Sequence, residues 1–133
     1  FGSENMSAIR MFKPSHGLQG IKDFIIETVE TAGPNPCPPI VLGIGIGGTM
    51  DQAAVMSKKA LLRDISVPHK DADYAKLEEE IMEMVNKTGI GPQLGGTTTC
   101  IGVNIEWGAT HIAGLPVAVT IMCHAARHAH VVL

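Results

Sequence analysis

The sequence predicts an α/β or mixed α+β sandwich, central strands flanked by helices. Apolar residues recur at helical intervals in separate segments, and a continuous apolar run, Ile40-Val41-Leu42-Gly43-Ile44, lies among them. Clusters of glycine and proline punctuate the segments and mark where elements stop.

From Gly17 to Ala32, Leu18, Ile21, Phe24, Ile25 and Val29 fall three or four residues apart, the spacing of one helical face. Gly33-Pro34 ends that helix. Pro36 to Pro39 stiffen the approach to residues 40–44, whose unbroken apolar character suits a strand buried on both faces. A glycine-rich turn is expected at once, and Met50 to Leu62 reads as a helix with Lys58, Lys59 and Arg63 near its end, where cations suit the helix dipole. Asp64 to Lys70 reads as a loop. Asp71 or Asp73 then caps a helix whose Tyr74, Leu77, Ile81 and Val85 form the inward stripe, with Glu78, Glu79 and Glu80 as its solvated face. Gly89, Gly91, Pro92, Gly95 and Gly96 break the pattern before two further strands, at 97–107 and 115–122. The order is therefore helix, strand, helix, helix, strand, strand, with no internal repeat; strand order does not follow from it.

At 133 residues, 45% hydrophobic and 17% charged, residues 1–133 fit a single domain with a real core. A formal charge of -3 gives no electrostatic pull toward nucleic acid, and 4% aromatic residues make no stacking platform for single strands. No apolar stretch reaches the roughly 18 to 20 residues that span a bilayer. Three cysteines without paired spacing point to a reducing, cytoplasmic compartment. The chain starts at Phe1 without a basic or apolar leader, so it is expected to begin inside a longer protein.

Chemistry concentrates near the C-terminal end, where an apolar strand runs into Cys123-His124-Ala125-Ala126-Arg127-His128. Neighbouring bases can lower the pKa of the Cys123 thiol or hold an anion; a buried inert thiol is the alternative. His124, Arg127 and His128 equally suit the start of an ordinary helix, and His128 with His130 makes a poor metal site. Cys37 sits between prolines that fix its backbone, so its sulfur can be presented rigidly to a metal or can be a turn residue. Cys100 lies inside a strand and reads as core. Gly43-Ile44-Gly45-Ile46-Gly47-Gly48 satisfies G-x-G-x-x-G between strand and helix, the signature of a dinucleotide-binding module. The acidic residue at the right distance, Asp64, follows a helix rather than a second strand, which weakens that reading. A non-catalytic scaffold is a third reading, with the same glycines used for packing.

The runs Gly2-Ser3-Glu4-Asn5-Met6-Ser7, Pro36-Cys37-Pro38-Pro39, Gly45-Ile46-Gly47-Gly48-Thr49, Gly89-Ile90-Gly91-Pro92-Gln93 and Thr110-His111-Ile112-Ala113-Gly114, followed by Cys123, cover nearly the whole chain. Together they resemble, in order, the later part of the α subunit of class I, iron-sulfur-dependent fumarate hydratases and L-tartrate dehydratases. The resemblance implies a hydro-lyase that reversibly hydrates a dicarboxylate, fumarate to malate first, with tartrate as the alternative. It implies a 4Fe-4S cluster held by three cysteines: Cys37 and Cys123 match ligand positions, and the third is expected upstream of this chain. It makes His111 a substrate-site acid, base or orienter and Gly2 a backbone contact to substrate, against the readings of a hydrogen-bonded core histidine and a plain tight turn. A β subunit or C-terminal domain, a homo-oligomeric assembly, and a general base outside this chain are implied too, so the chain alone is expected to be inactive. Two departures bear on the loop near the site: the family commonly has an extra glycine between Gln93 and Leu94 and a lysine where Thr97 stands.

Overall fold

The computed structural model describes residues 2–125 and 130–133. A 3-10 segment, Gly2–Met6, leads into strand β1 (Ala8–Phe12); a short 3-10 turn, Pro14–His16, then opens helix α1 (Gly17–Ala32). Strand β2 (Ile40–Gly47), helices α2 (Met50–Ala60) and α3 (Ala72–Asn86), and strands β3 (Cys100–Gly108) and β4 (Leu115–Cys123) follow. The strands form one mixed sheet in the order β1-β4-β2-β3, in which β2 runs parallel to β3 and antiparallel to β4, and β1 runs antiparallel to β4. The α/β or mixed α+β class read from the sequence is the class observed.

Alternation along β2 sorts the two faces of the sheet. Leu42, Ile44 and Ile46 join Ile21, Phe24, Ile25 and Val29 of α1 and Leu77, Ile81 and Val85 of α3 in one core. Gly43 and Gly45 point the other way, onto α2. A Cβ on Gly43 would lie 2.1 Å from the Ser57 carbonyl oxygen, and one on Gly45 would lie 2.1 Å from that of Ala53. Only hydrogen fits there, so the glycines set the spacing between strand and helix. The strand therefore runs through the glycines to Gly47, three residues beyond the expected Ile44, and the turn is confined to Gly47 and Gly48, at φ 91° and 67°. Thr49 caps α2 reciprocally with Gln52, whose side-chain oxygen accepts from the Thr49 amide. Asp71, of the two expected caps, accepts from the Asp73 amide at the start of α3.

Three points of the sequence reading need correction. Strand β1 is absent from the sequence reading because Ile9 and Met11 face outward on an edge strand, erasing the apolar-polar alternation. Glu78 is not solvated: it is 7% exposed, and its carboxylate accepts from the Arg63 guanidinium and from the backbone amides of His69 and Ile105. Arg63, expected to serve the dipole of α2, instead ties the loop after α2 to α3 and β3, while Lys58 and Lys59 do occupy the last turn of α2. Asn104, buried in β3, donates to the carbonyls of Ala60 and Arg63 and fixes the same loop. Among the described residues, no helix is long and apolar enough to cross a membrane.

Candidate functional site at the β4 terminus

The sheet brings together two of the predicted cysteines. Cys123, the last residue of β4, is in register with Ile40, the first residue of β2, and Cys37 lies three residues ahead of Ile40. The side chain of His124 closes the gap between the two segments: its Nδ1 lies 2.9 Å from the Cys37 carbonyl oxygen. A carbonyl only accepts, so Nδ1 carries the proton in this contact. Both thiols are free; Cys37 is exposed and Cys123 is half-buried. Cys37 adopts φ 56°, the left-handed region in which a non-glycine residue is strained. Strain at an exposed cysteine between prolines favours the reading of a presented sulfur over that of a filler residue.

The 3-10 segment Gly2–Met6 packs against the same end of β4. Ser3, buried, accepts from the Cys123 amide at 3.1 Å, and Ser7 accepts from the Ile121 amide at 2.9 Å. At Gly2 an added Cβ would meet nothing within 4 Å, so packing inside the chain does not demand a glycine there. An open backbone beside Cys123 is what a group from outside could approach.

His111 stands elsewhere. It lies in the turn between β3 and β4, exposed to solvent, which rules out the core-histidine reading. Its Nδ1 accepts from the Ala113 amide at 3.1 Å, leaving Nε2 to carry the proton of the neutral ring. The Thr110 hydroxyl donates to the Gly48 carbonyl at 2.9 Å, and the Gly48 amide donates to the Ala109 carbonyl, so this turn and the glycine turn after β2 form one rim. The whole of β4 separates that rim from Cys123, about 27 Å for eight steps at about 3.4 Å per residue. Cys37, Cys123 and Gly2 thus share one end of the sheet, and His111 occupies the other.

The remaining candidates resolve simply. Cys100 is buried, its thiol donates to the Gly102 carbonyl, and burial pushes it up to about 11, so it is core as expected. The glycines of the G-x-G-x-x-G run are consumed by contact with α2 and by the capped turn, which leaves no open cradle for a phosphate and argues against a dinucleotide module. Asp64 sits in the loop after α2 and accepts from the Ser66 amide and hydroxyl. Arg127 and His128 lie outside the described residues. Sequence reasoning set His124 aside and passed over Ser3 and Ser7; Ser3 and Ser7 stand inside the Gly2-to-Ser7 run, and His124 follows Cys123 directly. Among the described residues, no cluster of three or more His, Cys, Asp or Glu is placed to hold a metal ion.

Two free cysteines, Cys37 and Cys123, thus stand on neighbouring segments at one end of the mixed sheet, with the Gly2–Met6 segment beside Cys123. Residues 1–132 match the family described as fumarate hydratase (Fumerase), and the chain belongs to that family. It is 54% identical over 129 residues, 96% of its length, to a Methanocaldococcus jannaschii protein named "Putative L(+)-tartrate dehydratase subunit alpha". It is 40% identical over 119 residues, 89% of its length, to the L(+)-tartrate dehydratase subunit alpha of Escherichia coli K12. The chain spans less than half of these relatives, 45% of the first and 39% of the second.

Proposed function

We propose that this chain is part of the α subunit of a hydro-lyase that adds water to, or removes it from, a four-carbon dicarboxylate, with fumarate and malate as the first substrate pair. The observation that carries the reading is the junction of the Cys37 and Cys123 segments through the Ile40–Cys123 register and the His124 contact. A second reading, L-tartrate dehydration, is favoured by the names of the two relatives. Both require the same elimination chemistry, and both assign the chain to a cytoplasmic assembly with a β subunit or further domain.

The residues present suit a 4Fe-4S cluster in donor chemistry: two free thiols at one end of a rigid sheet, one of them on strained backbone. Cys37 and Cys123 would hold it, with the third thiolate from outside these residues. When bound, such a cluster with one iron free of protein ligands supplies a Lewis acid for a hydroxyl and its neighbouring carboxylate. Gly2 offers an unobstructed backbone to a substrate carboxylate. His111 would hold or move a proton at Nε2, its Nδ1 being engaged by Ala113. At about 27 Å, far beyond side-chain reach, it serves that substrate only from another copy in a homo-oligomer. The base that takes the carbon-bound proton is assigned outside this chain.

The test is anaerobic reconstitution with iron and sulfide of the full α subunit and its β partner, followed by iron and sulfide analysis and hydration assays on fumarate and tartrate. Cluster formation and turnover that vanish in Cys37→Ser and in Cys123→Ser are the expected result. A cluster of full stoichiometry in both variants refutes the ligand assignment, and turnover on neither substrate refutes the activity. Copies carrying Cys123→Ser mixed equally with copies carrying His111→Ala should regain about a quarter of wild-type turnover if a dimer shares its sites; no recovery removes His111 from the shared site.

A further inference from the structure

Strand β1 leaves β4 at the Ala8–Val119 pair, yet β4 continues to Cys123. The next two amides of β4 that need partners, those of Ile121 and Cys123, are not left to solvent. Ser7 Oγ accepts the first at 2.9 Å and Ser3 Oγ accepts the second at 3.1 Å. Two hydroxyls four residues apart therefore stand in for strand carbonyls and prolong the ladder past the end of β1. Ser3 is drawn inward for this purpose, buried between exposed Gly2 and Glu4. On the other side, Cys123 pairs with Ile40, where β2 shifts register against β3 and the Ile40 amide turns to the Thr99 carbonyl. The last rung of β4 is thus held from both flanks by irregular partners, and the Ser3 hydroxyl is the side-chain member of that pair.

We infer that Ser3 is a positioning residue for Cys123: its hydroxyl fixes the backbone of the cysteine and makes the Gly2–Met6 segment and the thiol move as one body. The inference rests on the reading of Cys123 as a cluster ligand. It assigns to Ser3 a task distinct from that of Ser7, whose bond lies one rung further in and touches no proposed ligand. A ligand group settling against Gly2 would be felt at the Cys123 backbone through this bond.

Backbone amide exchange and cluster spectroscopy test it together. In the 133-residue chain, Ser3→Ala should speed exchange of the Cys123 amide by about tenfold or more while leaving the Val117 and Val119 amides protected. In the reconstituted α subunit with its β partner, Ser3→Ala should shorten the half-life of the cluster under a chelator by about 10- to 100-fold, the usual weight of a residue that orients a metal ligand. It should also abolish any change that malate causes in the electron paramagnetic resonance spectrum of the reduced cluster. Ser3→Thr, which keeps the hydroxyl, should restore all three, and Ser7→Ala should leave the spectrum as in the wild type. Unchanged Cys123 exchange and unchanged cluster half-life in Ser3→Ala overturn the inference while leaving the cluster reading intact. A full cluster in Cys123→Ser overturns the assignment of Cys123 as a ligand, and with it the task given to Ser3.

Discussion

Replacing Gly45 with alanine tests directly what the glycine run is for. The new Cβ would sit 2.1 Å from the Ala53 carbonyl oxygen and 2.7 Å from the Ser57 amide nitrogen. Ordinary contact begins at 3.4 Å, so α2 must retreat by about 1.3 Å (3.4 minus 2.1) because the obstacles are backbone. That retreat stretches the buried Ser57–Thr120 hydroxyl bond from 2.7 Å to about 4 Å, beyond hydrogen-bonding range. Overpacking of this kind costs about 1–3 kcal/mol, and a buried hydroxyl left unpartnered about 1–3 kcal/mol more. Gly45→Ala should therefore lose about 2–6 kcal/mol in urea denaturation, a midpoint shift of about 1–3 M at a slope of about 2 kcal/mol/M. Gly2→Ala, whose Cβ meets nothing, is the matched control and should stay within about 0.5 kcal/mol of the wild type. A Gly45→Ala variant as stable as the control would falsify the packing argument and reopen the dinucleotide reading, which titration of the wild-type chain with NAD would then decide.

Glu78→Ala should destabilise by about 3–5 kcal/mol in the same assay, because it strands Arg63 and two backbone amides of a buried network; a loss below about 1 kcal/mol would show that the pair is not structural. Iodoacetamide at pH 8, followed by peptide mapping, should label Cys37 first and Cys123 next and leave Cys100 unmodified until the chain unfolds; early labelling of Cys100 contradicts its burial. The Cys100 thiol, raised to about 11 from 9.0, favours the fold in its neutral form. That contribution is complete below pH 9, where the unfolded thiol keeps its proton, and is lost as pH rises toward 11. Wild type minus Cys100→Ala stability should fall by about 2–3 kcal/mol over that window; a flat difference contradicts the assignment.

The helices were legible because their stripes are long: Ile21 to Val29 and Leu77 to Val85 bury in one core. Glu78 belongs to the same stripe. It stands four residues after Tyr74 and three before Ile81, inside the stripe, yet its place at the head of three consecutive glutamates suggested solvent. Five residues of β1, with apolar side chains on both faces, carry no period that distinguishes an edge strand from a loop. For the site, the ordered runs singled out Gly2, Cys37 and Cys123, which meet at one end of the sheet. Sequence separation concealed the rest: His111 and Cys123 are twelve residues apart along the chain, but a straight strand turns that short interval into the full length of the sheet. The serine bonds to β4 cross more than a hundred residues, and no local pattern announces them.

The pairing of β1 with β4 also sets an order in time. Residues 8–12 emerge from the ribosome long before their partners at 115–119, and translation at about 5–20 residues per second makes them wait roughly 5–20 s. Through that interval Ile9 and Met11 belong to an unpaired segment, open to a chaperone or to another nascent chain. Until β4 has emerged, Ser3 has no amide to receive and Cys37 has no neighbouring His124. The two-thiol end of the sheet therefore forms only once β4 has emerged, and a metal centre held by both thiols would be loaded from that point on and no earlier.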